Sequence, residues 1–241
     1  MSRQGESEDP RRRLLIQLLA AGAISGASAS AMAQLFGGRP TKLAAGRSIY
    51  RLDGTVTVDG KPATVSTNIG GRATIETGRN SEVVYAVGQS AFILRGNSKV
   101  TLETAQPDST LLTGLRLLSG KLLSVFAARK PMQLKAATAT IGIRGTGVYM
   151  EADPEQTYFC TCYGVADVQA NGDPESQETI AATHHDKPLY IVQGQPAGRN
   201  IRPAPFINHT DQELQLVEAL VGREPPFVFP KADYSGPRRG Y

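Results

Sequence analysis

The sequence predicts an all-β protein of short stacked strands with one amphipathic helix near its C-terminus and a disordered tail. Three observations carry that expectation. From Ile49 to Val168 the chain is a series of four-to-eight-residue runs rich in Val, Ile, Leu, Thr and Tyr, bounded by Gly, Asn, Asp or Pro. Helical spacing of apolar residues is absent from that stretch and emerges only after residue 210. The 241 residues include 25 Gly and 15 Pro, with 40% hydrophobic and 20% charged residues, which suits a turn-rich globular chain and excludes a coiled coil or a wholly disordered one.

The segment ahead of the strands reads as an export signal over residues 1–33. Arg11, Arg12 and Arg13 precede a weakly apolar run from Leu14 that ends in the small-x-small cleavage pattern Ala31-Met32-Ala33. Gly22, Gly26 and the interspersed serines keep the run only modestly hydrophobic, which with paired arginines points to the twin-arginine route. The expected location is periplasmic or secreted. Residues 34–48 read as a linker. No internal stretch approaches the roughly 20 apolar residues of a membrane span, and a net charge of +4 spread along the chain gives no reason to expect a nucleic-acid partner.

Within the strand-rich part, Thr55-Val56-Thr57-Val58 alternates and then meets Asp59-Gly60, a hairpin signal because the turn demands positive φ. Strands are expected over 73–76, 82–87, 91–94 and 100–103. Two turns echo each other, Arg79-Asn80-Ser81 and Gly96-Asn97-Ser98, a hint of stacked repetition. Strands then follow at 115–118, 121–126 (after a turn at Ser119-Gly120), 134–143, 148–151, 158–163 and 165–169. Residues 171–208 are expected to be a less regular β extension, with a loop over 171–175 and one strand at 189–192. Thr210-Asp211-Gln212-Glu213 is a capping box, Leu214, Leu216, Val217, Leu220 and Val221 supply an apolar face, and Gly222 sits where a helix ends, so the helix is placed within 209–222. Residues 223–241, with Pro225, Pro226 and Ser235-Gly236-Pro237, read as the disordered tail.

Thr138 to Tyr149 contains Gly142, Arg144, Gly145, Thr146 and Gly147, the most distinctive run in the chain. Glycines at these positions permit φ > 0 or close chain approach, and Arg144 between them can donate to a carbonyl or carboxylate, so a structural turn is the leading expectation and an anion or partner contact the alternative. This run resembles the signature of the FecR-like domain, a bacterial periplasmic module. Thr77-Gly78-Arg79-Asn80-Ser81, Ala91-Phe92-Ile93-Leu94-Arg95 and Leu118-Ser119-Gly120-Lys121-Leu122-Leu123 fit the same family in order, so the resemblance covers residues 49–170. It implies strands in stacked rungs or a twisted sandwich, and a role in binding and signalling. The best-known members sit in the inner membrane and control a sigma factor through a cytoplasmic segment. Here no such segment is expected before the export signal, which leaves an exported, stand-alone module with a protein partner in the cell envelope.

Chemistry is sparse. No Ser/His/Asp spacing suggests a hydrolase, so no catalytic residues, no enzyme activity and no cofactor are expected. The exception is Cys160-Thr161-Cys162, whose sulfurs share a strand face, followed by His184-His185-Asp186. In an oxidising compartment the thiols can close a strained disulfide, stay free in the core, or join His184 and His185 around zinc or copper. A metal- or redox-responsive envelope protein is therefore the second functional reading. His209, just before the capping box, reads as a structural loop residue.

Overall fold

A computed structural model of the chain describes residues 41–106, 109–128 and 131–227. The expected export signal and most of the C-terminal tail lie outside these residues. Fourteen strands and one helix follow in order: β1 Ile49–Asp53, β2 Val56–Val58, β3 Lys61–Pro62, β4 Thr74–Thr77, β5 Glu82–Val87, β6 Ser90–Leu94, β7 Lys99–Thr104, β8 Leu112–Val125, β9 Met132–Lys135, β10 Ala139–Ala152, β11 Gln156–Ala170, β12 Asp173–Ala182, β13 Leu189–Val192, β14 Ile201–Pro203 and α1 Asp211–Leu220. The described residues are all-β with a single helix, as the sequence predicts, in strands of two to fifteen residues. No helix among the described residues is long and apolar enough to cross a membrane.

Every pairing is antiparallel except that of β8 with β9. Three long strands organise the rest by changing partners along their length. The first half of β8 pairs with β7 and its second half with β6. β10 pairs with β9 over Thr140–Ile143 and with β8 over Gly147–Ala152. β11 follows β10 throughout while taking β13 on its other side at Gln156–Phe159 and β12 at Gly164–Ala170. One layer thus holds β2, β3, β4, β7, β9 and β12, the other holds β1, β5, β6, β13 and β14, and β8, β10 and β11 pass from one to the other. A single core joins Val100, Leu102, Leu117, Leu134, Ile141 and Val168 of the first layer to Tyr85, Phe92, Leu122, Met150 and Phe159 of the second. The sheet does not close on itself.

The crossing points explain three glycines. Gly120 in β8 (φ +84°), Gly145 in β10 (φ +58°) and Gly164 in β11 (φ +92°) sit where those strands change partner. A strand turns such a corner through a bulge, which needs the left-handed conformation that glycine adopts freely. The sequence reading placed turns at Ser119-Gly120 and in the Gly142–Gly147 run. In the structure the chain does not reverse at either place: β8 and β10 each run on as one strand, bent at the bulge. The segment 134–143 is instead divided, by a turn after Lys135, between β9 and β10. A Cβ on Gly120 would meet Ser98 Oγ at 2.1 Å and Ser98 Cα at 2.6 Å. Gly120→Ala is therefore expected to destabilise the protein by about 2 kcal/mol in denaturant unfolding, from strained φ and backbone collision together.

The two echoing turns are the same structure twice. Asn80 (φ +53°) and Asn97 (φ +55°) both adopt the left-handed conformation. Ser81 Oγ donates to Arg79 O and accepts from Thr55 N, while Ser98 Oγ donates to Gly96 O and accepts from Lys121 N. The turns stack through Asn97 N to Gly78 O and Thr77 N to Ser98 O. Asp59 (φ +51°) and Gly60 (φ +74°) form the expected β2–β3 hairpin turn. The extension beyond residue 170 is more regular than its composition suggests, because β12 fills Asp173–Ala182 after a tight turn at Asn171-Gly172.

β5 and β6 are apolar on both faces, and both faces are covered. Tyr85, Phe92 and Val148 point into the core, whereas the aligned set Val84, Ile93, Leu123 and Tyr149 points outward and is equally buried. α1 lies over β5, β6 and β8 on that outer face, contributing Leu214, Leu216, Val217 and Leu220. Thr210 and Glu213 make the expected capping box. At the other end Gly222 (φ +74°) closes the helix, with Gly222 N bonded to Ala219 O and Arg223 N to Glu218 O.

Candidate metal centre

At the corner of β11 four side chains from three segments converge. Cys160 is paired with Tyr149 of β10, and Cys162 is the unopposed residue of the bulge that follows, since Val148 aligns with Thr161 and Gly147 with Tyr163. Both sulfurs are free and buried. His185 comes from the loop after β12. The Asp186 carboxylate shapes that loop by accepting from Thr183 N, Thr183 Oγ1 and His184 N. His185 itself is in the left-handed conformation, with its N–H donated to Cys162 O at 2.9 Å. His209 comes from the residue ahead of the α1 N-cap, stacked on Tyr149 at 4.4 Å and edge-on to Phe206 at 4.6 Å.

The donor atoms face one another. Cys160 Sγ lies 3.6 Å from His185 Nδ1, Cys162 Sγ lies 3.4 Å from His209 Nε2, and the two ring nitrogens are 3.1 Å apart. All four donors fall within 4.8 Å of one another. The far nitrogen of each ring is already committed. His185 Nε2 donates to Asp211 Oδ1 at 2.8 Å, and His209 Nδ1 donates to Ile207 O at 2.7 Å. In the neutral tautomers that these bonds dictate, both facing nitrogens are lone pairs. Two lone pairs at that separation need a proton or a cation between them.

Burial and neighbours set the charges. Burial opposes ionisation of Cys160, yet hydrogen bonds from Cys162, His185 and His209 outweigh it and hold this thiol well below its ordinary value. Burial pushes the Cys162 thiol well up, reinforced by the neighbouring Cys160. Burial also disfavours charge on His185 and Asp211, but their mutual hydrogen bond prevails, raising the imidazole and lowering the carboxyl, with His184 adding to the latter. The site thus sets the Cys160 sulfur and the Asp211 carboxyl on either side of the His185 ring.

The sequence reading named Cys160, Cys162, His184 and His185. The structure brings three of these together and replaces the fourth. His184 lies outside the sulfur cluster: its ring sits 4.8 Å from that of His185 and its Nε2 meets the other oxygen of the same carboxylate, Asp211 Oδ2, at 2.9 Å. His209 takes its place. Nothing local marks it as a donor, since it reaches the sulfurs only after α1 has docked. The glycine-rich run lies elsewhere in β10. Arg144 is exposed and pairs with Asp167 of β11 at 3.2 Å, Thr146 is buried, and Gly147 leaves room for the Tyr163 ring, which a Cβ would meet at 2.4 Å. At Gly142 a Cβ would meet only ordinary contacts.

No protein-family model matches the chain, and no curated protein matches it. Among the solved structures similar to it are two of a candidate anti-sigma factor from Parabacteroides distasonis. Each aligns with a TM-score of 0.44 at 12% identity, over 70% of this chain and 85% of the other.

Proposed function

We propose that this protein is a non-enzymatic, metal-responsive sensing module of the cell envelope, in which Cys160, Cys162, His185 and His209 hold one zinc ion and a protein partner receives the signal. The observation that carries the reading is the convergence of two sulfurs and two ring nitrogens within 4.8 Å of one another. Zinc bonds of about 2.3 Å to sulfur and about 2.0 Å to nitrogen imply edges of about 3.5 Å between S and N and about 3.3 Å between two N. The corresponding separations here are 3.6, 3.4 and 3.1 Å.

Donor chemistry narrows the ion. A tetrahedral S2N2 set favours zinc, with copper the competitor named by the same ligands, and disfavours the oxygen-seeking calcium and magnesium. The outer contacts support the same reading: a histidine ligand whose far N–H meets a carboxylate, as His185 does with Asp211, and one whose far N–H meets a carbonyl, as His209 does with Ile207, are the usual means of fixing metal-binding tautomers. Four protein donors in a buried site leave no position for substrate, which supports a structural or sensing ion over a catalytic one. The envelope location rests on Arg11, Arg12, Arg13 and the Ala31-Met32-Ala33 pattern, and the signalling role on the FecR-like run.

Zinc titration of the full chain against a competing chelator tests the proposal. One zinc per chain, bound with protection of both thiols from alkylation, is expected. Two thiols that alkylate equally fast with and without zinc would refute it. Asp211→Asn, which keeps shape but removes the charge behind His185, is expected to weaken zinc binding by about 10- to 100-fold.

A further inference from the structure

Resting on that metal reading, we infer that the ion is a latch: it ties α1 to the outer face of the sheet, and its departure releases the helix. Of the four donors, Cys160 and Cys162 belong to β11 and His185 to the loop that β11's partner strand feeds. His209 alone belongs to the α1 segment, one residue before the Thr210 cap. Asp211, the first residue of α1, receives both His184 and His185. The cluster therefore joins the helix start to the sheet.

A helix of 10 residues has little stability of its own and holds its shape through what it packs on. Beyond the centre, polar anchors hold both ends of α1, Leu43 N donating to Leu220 O at 3.0 Å among them. Arg95 at the end of β6 donates from one nitrogen to both oxygens of Glu213, at 2.9 and 3.0 Å. Near the C-terminal end, Glu218 accepts from Tyr163 Oη and from Arg223 Nε. The Glu213 anchor is shared with the cap, since Glu213 also accepts from Thr210 N. Loss of the ion leaves His185 Nδ1 and His209 Nε2 3.1 Å apart with only a proton to bridge them, and of the two rings His209 is the one on the segment that carries α1. Release of the helix uncovers Val84, Ile93, Leu123 and Tyr149, an apolar set that is otherwise buried. That turns occupancy of a buried ion into a change of surface.

Amide hydrogen exchange of the full chain, zinc-loaded and chelator-stripped, tests the latch, with bound zinc counted in the same samples. In stripped protein, peptides covering 210–222 are expected to exchange at least about 100-fold faster than those of β8, the signature of a local opening. Free zinc at 100 times its dissociation constant is expected to slow them by about 100-fold. In His209→Ala the remaining three donors retain zinc more weakly, and bound zinc no longer slows 210–222. Helix protection equal to that of β8 without zinc would overturn the latch while leaving the centre standing, as would zinc protection of the helix that survives in His209→Ala. A zinc count of zero in the loaded sample would overturn the centre and the latch together.

Discussion

Cys162→Ala is expected to lower zinc affinity by about 140-fold while leaving the fold intact. Structural zinc sites bind with about 10–16 kcal/mol, so one of four ligands accounts for about 3 kcal/mol, and each 1.4 kcal/mol is a factor of ten. The fold tolerates the change because Cys162 is the unopposed residue of a bulge, where no cross-strand partner depends on its side chain. Alanine also suits the buried setting. Competition titration of wild type and variant, with circular dichroism on both, reads the two halves of this expectation. The two cysteines differ in the proton they bring: burial holds the Cys162 thiol protonated, whereas Cys160 is held well below its ordinary value. Zinc uptake at neutral pH is accordingly expected to release protons, Cys162 among their sources, and Cys162→Ala to lower the number released.

Phe92→Ala is expected to destabilise the protein by about 4 kcal/mol without weakening zinc binding more than about twofold. Phe92 is fully buried, stacked on Tyr85 at 4.8 Å and edge-on to Phe126 at 5.8 Å. Truncating a buried phenylalanine removes its transfer free energy and leaves a cavity, about 3–5 kcal/mol together. Its effect on zinc is small because Phe92 projects into the core between the layers, away from the outer face on which α1 and the cluster lie. Denaturant unfolding with chelator present measures the first quantity and zinc titration the second. A strong loss of zinc affinity in Phe92→Ala would contradict the separation of the two faces.

Much of the fold was legible where one local cause dictates one outcome. Asp59-Gly60 satisfies a hairpin turn, Val83 to Val87 is apolar at successive positions because both faces are covered, and Thr210 with Glu213 caps a helix. Bulges were harder to read. Gly120, Gly145 and Gly164 announce positive φ, but a chain that reverses and a chain that bends ask for the same residue. The difference lies in which strands pair on either side, and that information is distributed over the whole sequence. β12 was missed because Asp173-Pro174-Glu175 looks like a loop. Proline and acidic residues are common at a sheet edge, and among the described residues β12 pairs with β11 alone.

The candidate site was half legible for a similar reason. Cys-x-Cys in a strand announced two sulfurs close together, and His184-His185 a nearby pair of rings. Which ring turns inward depends on the left-handed backbone of His185 and on the Asp186-capped loop, neither of which the residue types disclose. His209 was read as structural because its role is created by docking: the capping box fixes where α1 begins, and the apolar face of α1 then carries the preceding ring onto Tyr149 and the sulfurs.

The coordination shell of the zinc-loaded full chain, measured by X-ray absorption, tests the central claim most directly. Two sulfurs at about 2.3 Å and two nitrogens at about 2.0 Å, with imidazole scattering from both rings, are predicted. A shell of oxygen and nitrogen alone, with no sulfur at that distance, would contradict the assignment of Cys160, Cys162, His185 and His209 as the metal centre.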